Sequence, residues 1–344
     1  MLEGHVMGGW NGVMVEKTIY VFSDGELKRK DNTLSFESSS GRKFIPVEVT
    51  REILLFGEVN LNTNLLAFLS QHEIILHYFN YYGYYAGSAY PREHLASGEM
   101  TLRQSEHYLD ADKRLDLARR FVSGAAANIR RVLKYYDNRE KDVRLFLTRV
   151  EELTPLLEEQ TSVAQLMAIE GNVREAYYSA FDSILEDKEF AFTGRNRRPP
   201  RDPLNALISF GNSILYTAIL GEIYKTHLDP RIGYLHSTNT RRFSLNLDVS
   251  EIFKPVLVDR IIMTLVSKRM LKAHDFERDS GGVFLGEKGR DLFLRQWDER
   301  LSQTIQHREI GRPVSYRRLI RLELYKLQKH LLGEKPYEPF VTQW

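Results

Sequence analysis

At 344 residues, with 42% hydrophobic and 27% charged side chains and a net charge of only +2, the chain has the make-up of an ordinary folded protein, which argues against a disordered chain or a coiled rod. Its length calls for about two domains. With no cysteine, disulfides and thiolate metal sites are excluded, and a reducing compartment fits.

In chain order, MLEGHVMGGWNGVMVE (1–16) lacks the apolar stretch of a signal peptide and reads as a disordered leader. No run of about 18 apolar residues follows, so the protein is expected to stay in the cytoplasm, away from membranes. From residue 17, short β-rich runs are punctuated by turn residues. Ile19–Phe22, Thr33–Glu37, Lys43–Val49 and Ile53–Phe56 are expected strands, Leu65–Gln71 a short helix and Ile74–Phe79 another strand. These make a small β-rich domain over 17–95. HEIILH (72–77) is set aside as a zinc-protease signature, because its second histidine comes five residues after the first and the segment has strand texture. The aromatic run YFNYYGYYAGSAY (78–90) reads as core or dimer contact before base stacking.

Past residue 100 the periodicity becomes helical, starting with LDADKRLDLARRFVSGAAANIRRVLKYY. The fold class is therefore α+β: the β-rich domain, then a larger all-α domain over 100–335.

Three polar positions break the pattern of that second domain. In TSVAQLMAIEGNVREAYYSAFDSIL (161–185), Thr161 or Ser162 can cap a helix whose apolar face carries Val163, Leu166, Val173, Tyr177 and Phe181. Glu170 projects into the middle of that face, where a carboxylate must be paired, protonated or metal-bound. His236 ends GYLH, beyond a helix that opens with Asp202 as N-cap and Pro203 at the first helical position. Asp248 and Glu251, spaced i, i+3 at the start of the next helix, point the same way. Two accounts of this pair remain open: Asp248 as N-cap with Glu251 reaching back in a capping box, or two acids of a metal site. Two carboxylates and one imidazole form a hard donor set suited to Mg²⁺ or Mn²⁺.

Positive charge is concentrated in the second part of the chain. Residues 1–95 hold 8 Lys+Arg against 11 Asp+Glu, and the remainder holds 40 against 35. The loop with Arg195, Arg197, Arg198 and Arg201, the pair Arg241 and Arg242, and the late helix with Arg317, Arg318 and Arg321 are candidate phosphate contacts. The bland alternative is a solvated helix face. No P-loop and no Gly-x-Gly-x-x-Gly is present, so nucleotide hydrolysis and hydride transfer lack support.

AIEGNVREAYY, RPPRDPLNALISFGNSILY, DPRIGYLH, FSLNLDVSEIFKP and VSYRRLIRLELYKL, with DGELKRKDNTL, IPVE and LFGEVNLNT before them, resemble the CRISPR-associated integrase family, the Cas1 endonucleases of the adaptation module. The resemblance covers nearly the whole chain after residue 16. It implies a β-rich dimerisation domain joined to a helical catalytic domain that cuts double-stranded and branched DNA with Mg²⁺ or Mn²⁺. Such proteins insert foreign DNA fragments into a CRISPR array, a fragment's 3′ hydroxyl attacking a phosphodiester at the repeat border. It also implies a homodimer working with a small partner adaptation protein. Carried over, the family's metal ligands fall on Glu170, His236 and Glu251, and Asp248 is the nearby acid that joins His236 as catalytic. Many members have aspartate where this chain has Glu251. A stand-alone metal-dependent DNA nuclease and a non-enzymatic DNA-binding scaffold, with Glu170 salt-bridged in the core, are the alternatives.

Overall fold

GELKRK carries a single apolar residue, yet it forms a strand. The computed structural model describes residues 17–92, 95, 97–196, 199–238, 243–307 and 310–343. The chain divides into two compact units, 1–94 and 95–344.

The first unit contains β1 (Lys17–Val21), β2 (Gly25–Lys30), β3 (Thr33–Ser38), β4 (Gly41–Ile45), β5 (Thr50–Leu55), β6 (Val59–Asn60), α1 (Thr63–Gln71), β7 (Ile75–Phe79) and β8 (Tyr85–Ala89). One sheet runs β1-β5-β7-β8, parallel except for the edge strand β8, and the other runs β4-β3-β2-β6. Val21, Leu27, Phe36, Ile53, Phe68 and Leu76 belong to one core. In β2 only Leu27 is buried, and its charged neighbours are held by β3. Glu26 lies directly opposite Glu37, a repulsive pairing by itself. Lys28 resolves it by reaching both carboxylates, at 3.0 and 2.9 Å. The strand expected over Lys43–Val49 ends at Ile45 instead. Pro46 has no N–H for a ladder, and its carbonyl accepts from the Thr50 hydroxyl at 2.6 Å in the turn that starts β5. β8, inside the aromatic run, follows a turn in which Asn80 Oδ1 accepts from the backbone of Tyr82 and Tyr84.

The second unit holds α2 (Gly98–Leu109), α3 (Ala111–Asp137), α4 (Arg144–Leu153), α5 (Val163–Ser179), α6 (Phe181–Leu185), α7 (Pro203–Ile223), α8 (Leu245–Phe253), α9 (Val258–Ser267), β9 (Phe276–Asp279), β10 (Gly282–Leu285), α10 (Glu287–Ser302), β11 (Thr304–His307), β12 (Arg312–Ser315) and α11 (Tyr316–Leu331). The N-terminal strand-rich unit and mainly helical second unit match the expected class, with one difference. Two antiparallel hairpins, β9–β10 and β11–β12, interrupt the helices expected to be continuous. The first turns on Ser280 and Gly281, both at positive φ (49° and 76°), which is what a two-residue hairpin loop demands.

α7 is the central helix, buried at every residue except Pro203 and Tyr216. As expected, Asp202 caps it, accepting from Asn205 N at 2.8 Å, with Pro203 next. By length and mean hydropathy this helix could cross a membrane, which corrects the expectation that no such stretch exists. However, 89% of its apolar window is buried within the protein, as in a core helix.

α3 packs against α4, α5 and α8. Its Asn128 side chain ties two other segments together: Nδ2 donates to Ile252 O and Phe340 O at 3.0 and 2.9 Å, and Oδ1 accepts from Thr342 N at 2.8 Å. The helix bearing Glu170 and the helix bearing Asp248 and Glu251 therefore share one rigid support.

Candidate metal centre

Ser162 starts α5 by accepting from Gln165 N, and the buried stripe Leu166, Val173 and Tyr177 turns inward. Glu170 lies on that stripe, one turn after Leu166, and is only 21% exposed. Arg174, one turn further, is 9% exposed, and its Nε donates to Glu170 Oε1 at 2.7 Å. The pairing needed to keep a carboxylate on an apolar face thus comes first from its own helix.

His236 is delivered by a loop folded back on the start of α8. Asp229 is held through its backbone by the Gln104 amide, and Ser244 Oγ accepts from Gly233 N at 2.8 Å and donates to Arg231 O at 2.7 Å. Gly233 has no room for a side chain: a Cβ would lie 2.7 Å from Ser244 C and 2.9 Å from Asp248 Oδ2. Ser244, not Asp248, occupies the N-cap of α8, and its hydroxyl is committed to the loop. This overturns the capping-box account, because the helix starts at Leu245 and leaves Asp248 inside its first turn.

Asp248 is fully buried and accepts from the backbone N–H groups of Tyr234, Leu235 and His236 at 2.5, 3.0 and 2.9 Å. A fourth contact, 2.8 Å, comes from His236 Nδ1. An ionised carboxylate only accepts, so Nδ1 carries a proton, and in the neutral ring Nε2 holds the lone pair. Nε2 lies 4.0 Å from Glu251 Oε1. Glu251 is buried between two cations: Lys254 Nζ sits 2.5 Å from Oε1, and Arg174 Nη2 bonds Oε2. One edge of the Arg174 guanidinium therefore spans Glu170 and Glu251.

These contacts set the protonation states. Burial pushes Glu251 up, but Arg174, Lys254 and His236 outweigh it and hold the carboxyl down at about 2. Burial pulls Lys254 down, and the Glu251 charge more than restores it, so the lysine stays charged. Burial also works to lower His236, and the hydrogen bond and charge of Asp248, with Glu251 behind it, carry it above its usual value. Three carboxylates thus face two fixed cations, and the imidazole is drawn toward being the third.

Among the described residues no three His, Asp or Glu side chains surround a common cation position. The reason lies in the cluster: Arg174 stands between the two glutamates and Lys254 covers the other oxygen of Glu251. The donor chemistry nevertheless fits a hard divalent ion. His236 presents a lone-pair nitrogen with its tautomer fixed by a buried carboxylate, the outer-shell arrangement found behind metal-bound histidines. Its gap to Glu251 is too long for a hydrogen bond.

The three sequence-derived acids and the histidine are therefore joined in one run of contacts, Glu170 to Arg174 to Glu251 to His236 to Asp248. Arg174 and Lys254 were missed, although their signal was present: each is one helical turn after a candidate ligand, in EGNVR and EIFK. Two of the candidate DNA contacts are engaged within the fold. Arg195 donates to Asn205 Oδ1 and Ser209 Oγ at 2.7 and 3.0 Å, bracing the loop against α7. Arg321 is held by buried Glu222 at 2.6 Å. Arg201 and Arg318 are exposed, the latter 5.9 Å from the Tyr325 ring, and Arg317 is half-buried. Arg197, Arg198, Arg241 and Arg242 lie outside the described residues, as does the leader 1–16.

The family model described as CRISPR associated protein Cas1 matches residues 19–299. The "CRISPR-associated endonuclease Cas1 2" of Thermodesulfovibrio yellowstonii is 58% identical over 96% of this chain and 100% of its own length. A Cas1 endonuclease of Thermotoga maritima is 49% identical over 93% of this chain and 98% of its own. Among solved structures, a Cas1 protein from Thermotoga maritima superposes with a TM-score of 0.86 at 47% identity, covering 93% of this chain and 98% of that one. A casposase bound to its integration product shares the fold at the same TM-score with 19% identity, over 95% and 93% of the two chains.

Proposed function

The chain belongs to the CRISPR-associated Cas1 family, and on that premise we propose that it is a divalent-metal-dependent DNA integrase and endonuclease that inserts foreign fragments into a CRISPR array. The observation that carries the reading is the His236 imidazole, locked by buried Asp248 and turned on Glu251 beside Glu170. Glu170, Glu251 and His236 Nε2 would hold Mg²⁺ or Mn²⁺. Bound there, the ion would polarise a phosphodiester and ease deprotonation of an attacking hydroxyl.

In the reaction a fragment's 3′ oxygen bonds to phosphorus at the repeat border as the bond to the displaced 3′ oxygen breaks. The attacking hydroxyl gives up a proton and the leaving oxygen takes one, so a phosphodiester is exchanged with no nucleotide hydrolysed. Asp248 holds His236 through the cycle, and before an ion binds Arg174 and Lys254 keep the buried Glu251 ionised. In a strand-transfer assay with a repeat-bearing duplex, product should form with Mn²⁺ or Mg²⁺, vanish on chelation and return when metal is restored. Product that persists in chelator would refute metal dependence.

The N-terminal unit is proposed to make the homodimer, with a small adaptation protein as partner and the cytoplasm as location. Arg201, Arg317 and Arg318 are the proposed phosphate contacts, giving affinity without sequence choice. Replacing Arg318 with alanine should weaken all duplexes alike and flatten the log–log salt dependence by about 0.9 for its one contact, measured by fluorescence anisotropy. An unchanged slope would remove Arg318 from the DNA footprint.

A further inference from the structure

Behind the two glutamates, Arg174 faces a fourth acid that the chemistry above leaves unused. Nε and Nη2 of Arg174 are taken by Glu170 and Glu251, whereas Nη1, also buried, has no hydrogen-bond partner among the described residues. Asp259, in the first turn of α9, is fully buried, and neither of its oxygens has a partner among those residues. The buried Tyr177 hydroxyl is the polar group set close to that carboxyl, near enough to act on its ionisation. The charged and titratable groups facing Asp259 are Arg174, Tyr177 and Tyr178 of α5, Lys254 from the end of α8, and Arg195.

An unmatched donor and an unmatched acceptor, both buried, are costly in the state observed and become favourable once they meet. With Arg174 and Lys254 balancing Glu170 and Glu251, a dication added to the same carboxylates would leave positive charge in excess. Asp259 is the acid in electrostatic reach of Arg174 that no cation yet holds.

Resting on the metal reading above, we propose that Asp259 is the alternate partner of Arg174: as a divalent cation takes up Glu170 and Glu251, Arg174 turns its charge to Asp259, which positions the guanidinium behind the ligands. The carboxyl proton leaves to solvent as the ion pair forms, so charge and atoms balance. Burial pushes the Asp259 carboxyl up to about 7, against the pull of Arg174, the Tyr177 hydroxyl, Lys254 and Arg195, so near neutrality the proton is there to be released.

Asp259→Asn keeps the shape and removes the ionisation. A carboxyl raised in the fold contributes stability that is lost as pH rises from its ordinary range through about 7. Without metal at about pH 8 the variant should therefore melt above wild type, the opposite of losing a structural contact. Calorimetry with Mn²⁺ should show the variant binding about tenfold more weakly near pH 8 and equally near pH 6, where wild-type Asp259 is itself neutral. In unmodified protein, adding Mn²⁺ near pH 7 should bleach a protonated-carboxyl infrared band, a measurement that needs no variant. An affinity ratio independent of pH, or no bleached band, overturns the pairing and leaves the metal centre standing. Failure of wild type to bind Mn²⁺ overturns both.

Discussion

Replacing Glu170 or His236 with alanine should lower metal-dependent strand transfer by well over the roughly 10- to 100-fold that loss of an outer-shell partner costs, because each removes a donor outright. Asp248→Asn should fall inside that window. Its carbonyl oxygen can still receive part of the backbone N–H set, but an amide cannot enforce the Nδ1–H tautomer as a buried carboxylate does. The three variants thus form a graded series from ligand to positioning group. All should remain folded. Glu170 is partly exposed, so its loss should cost only about 1 kcal/mol. Without the imidazole, Asp248 keeps three backbone donors. Rates measured with purified proteins of verified helicity test the order. Near wild-type transfer by Glu170→Ala or His236→Ala would remove that residue from the metal set, and Asp248→Asn failing as completely as they do would make Asp248 more than a support.

The order of effects follows from what was legible in the chain. A carboxylate on an apolar helical stripe announces an unusual environment, so Glu170 could be found from periodicity alone. The i, i+4 spacing offered Arg174 as a partner for Glu170, but it could not show that the same guanidinium also reaches Glu251, 77 positions on. Asp248 shows the complementary failure. Its spacing to Glu251 suits a cap, and only the loop 229–236, folded back by Gln104 and Ser244, shows that its acceptors serve the chain before His236. The Gln104 bond links residues 125 positions apart, beyond any local signal. The hairpin at Ser280–Gly281 and the strand at 25–30 were missed for a different reason. Each is short and polar, and each takes its conformation from a neighbouring strand more than from its own composition.

Arg174→Met should destabilise the helical unit by about 3–5 kcal/mol near neutral pH, the usual cost of removing one partner from a buried ion pair. Methionine fills much of the volume and leaves Glu251 with Lys254 and His236, so burial, which raises the carboxyl pKa, is opposed by one fewer cation. The pH dependence separates this cause from lost packing. In wild type the Glu251 carboxyl is lowered by folding. Its stabilisation is therefore complete above the ordinary glutamate range and declines as pH falls from about 4.5 toward 2. The gap between wild type and variant should be full at neutral pH and should narrow across that acid window, as the wild-type advantage of an ionised Glu251 is titrated away. Urea unfolding followed by helical circular dichroism, at neutral pH and at about pH 3.5, measures both values. A gap that is the same at the two pH values would mean that Arg174 contributes volume and contacts only, with its charge balanced elsewhere. A gap under about 1 kcal/mol at neutral pH would mean that Lys254 suffices to keep Glu251 ionised in the fold.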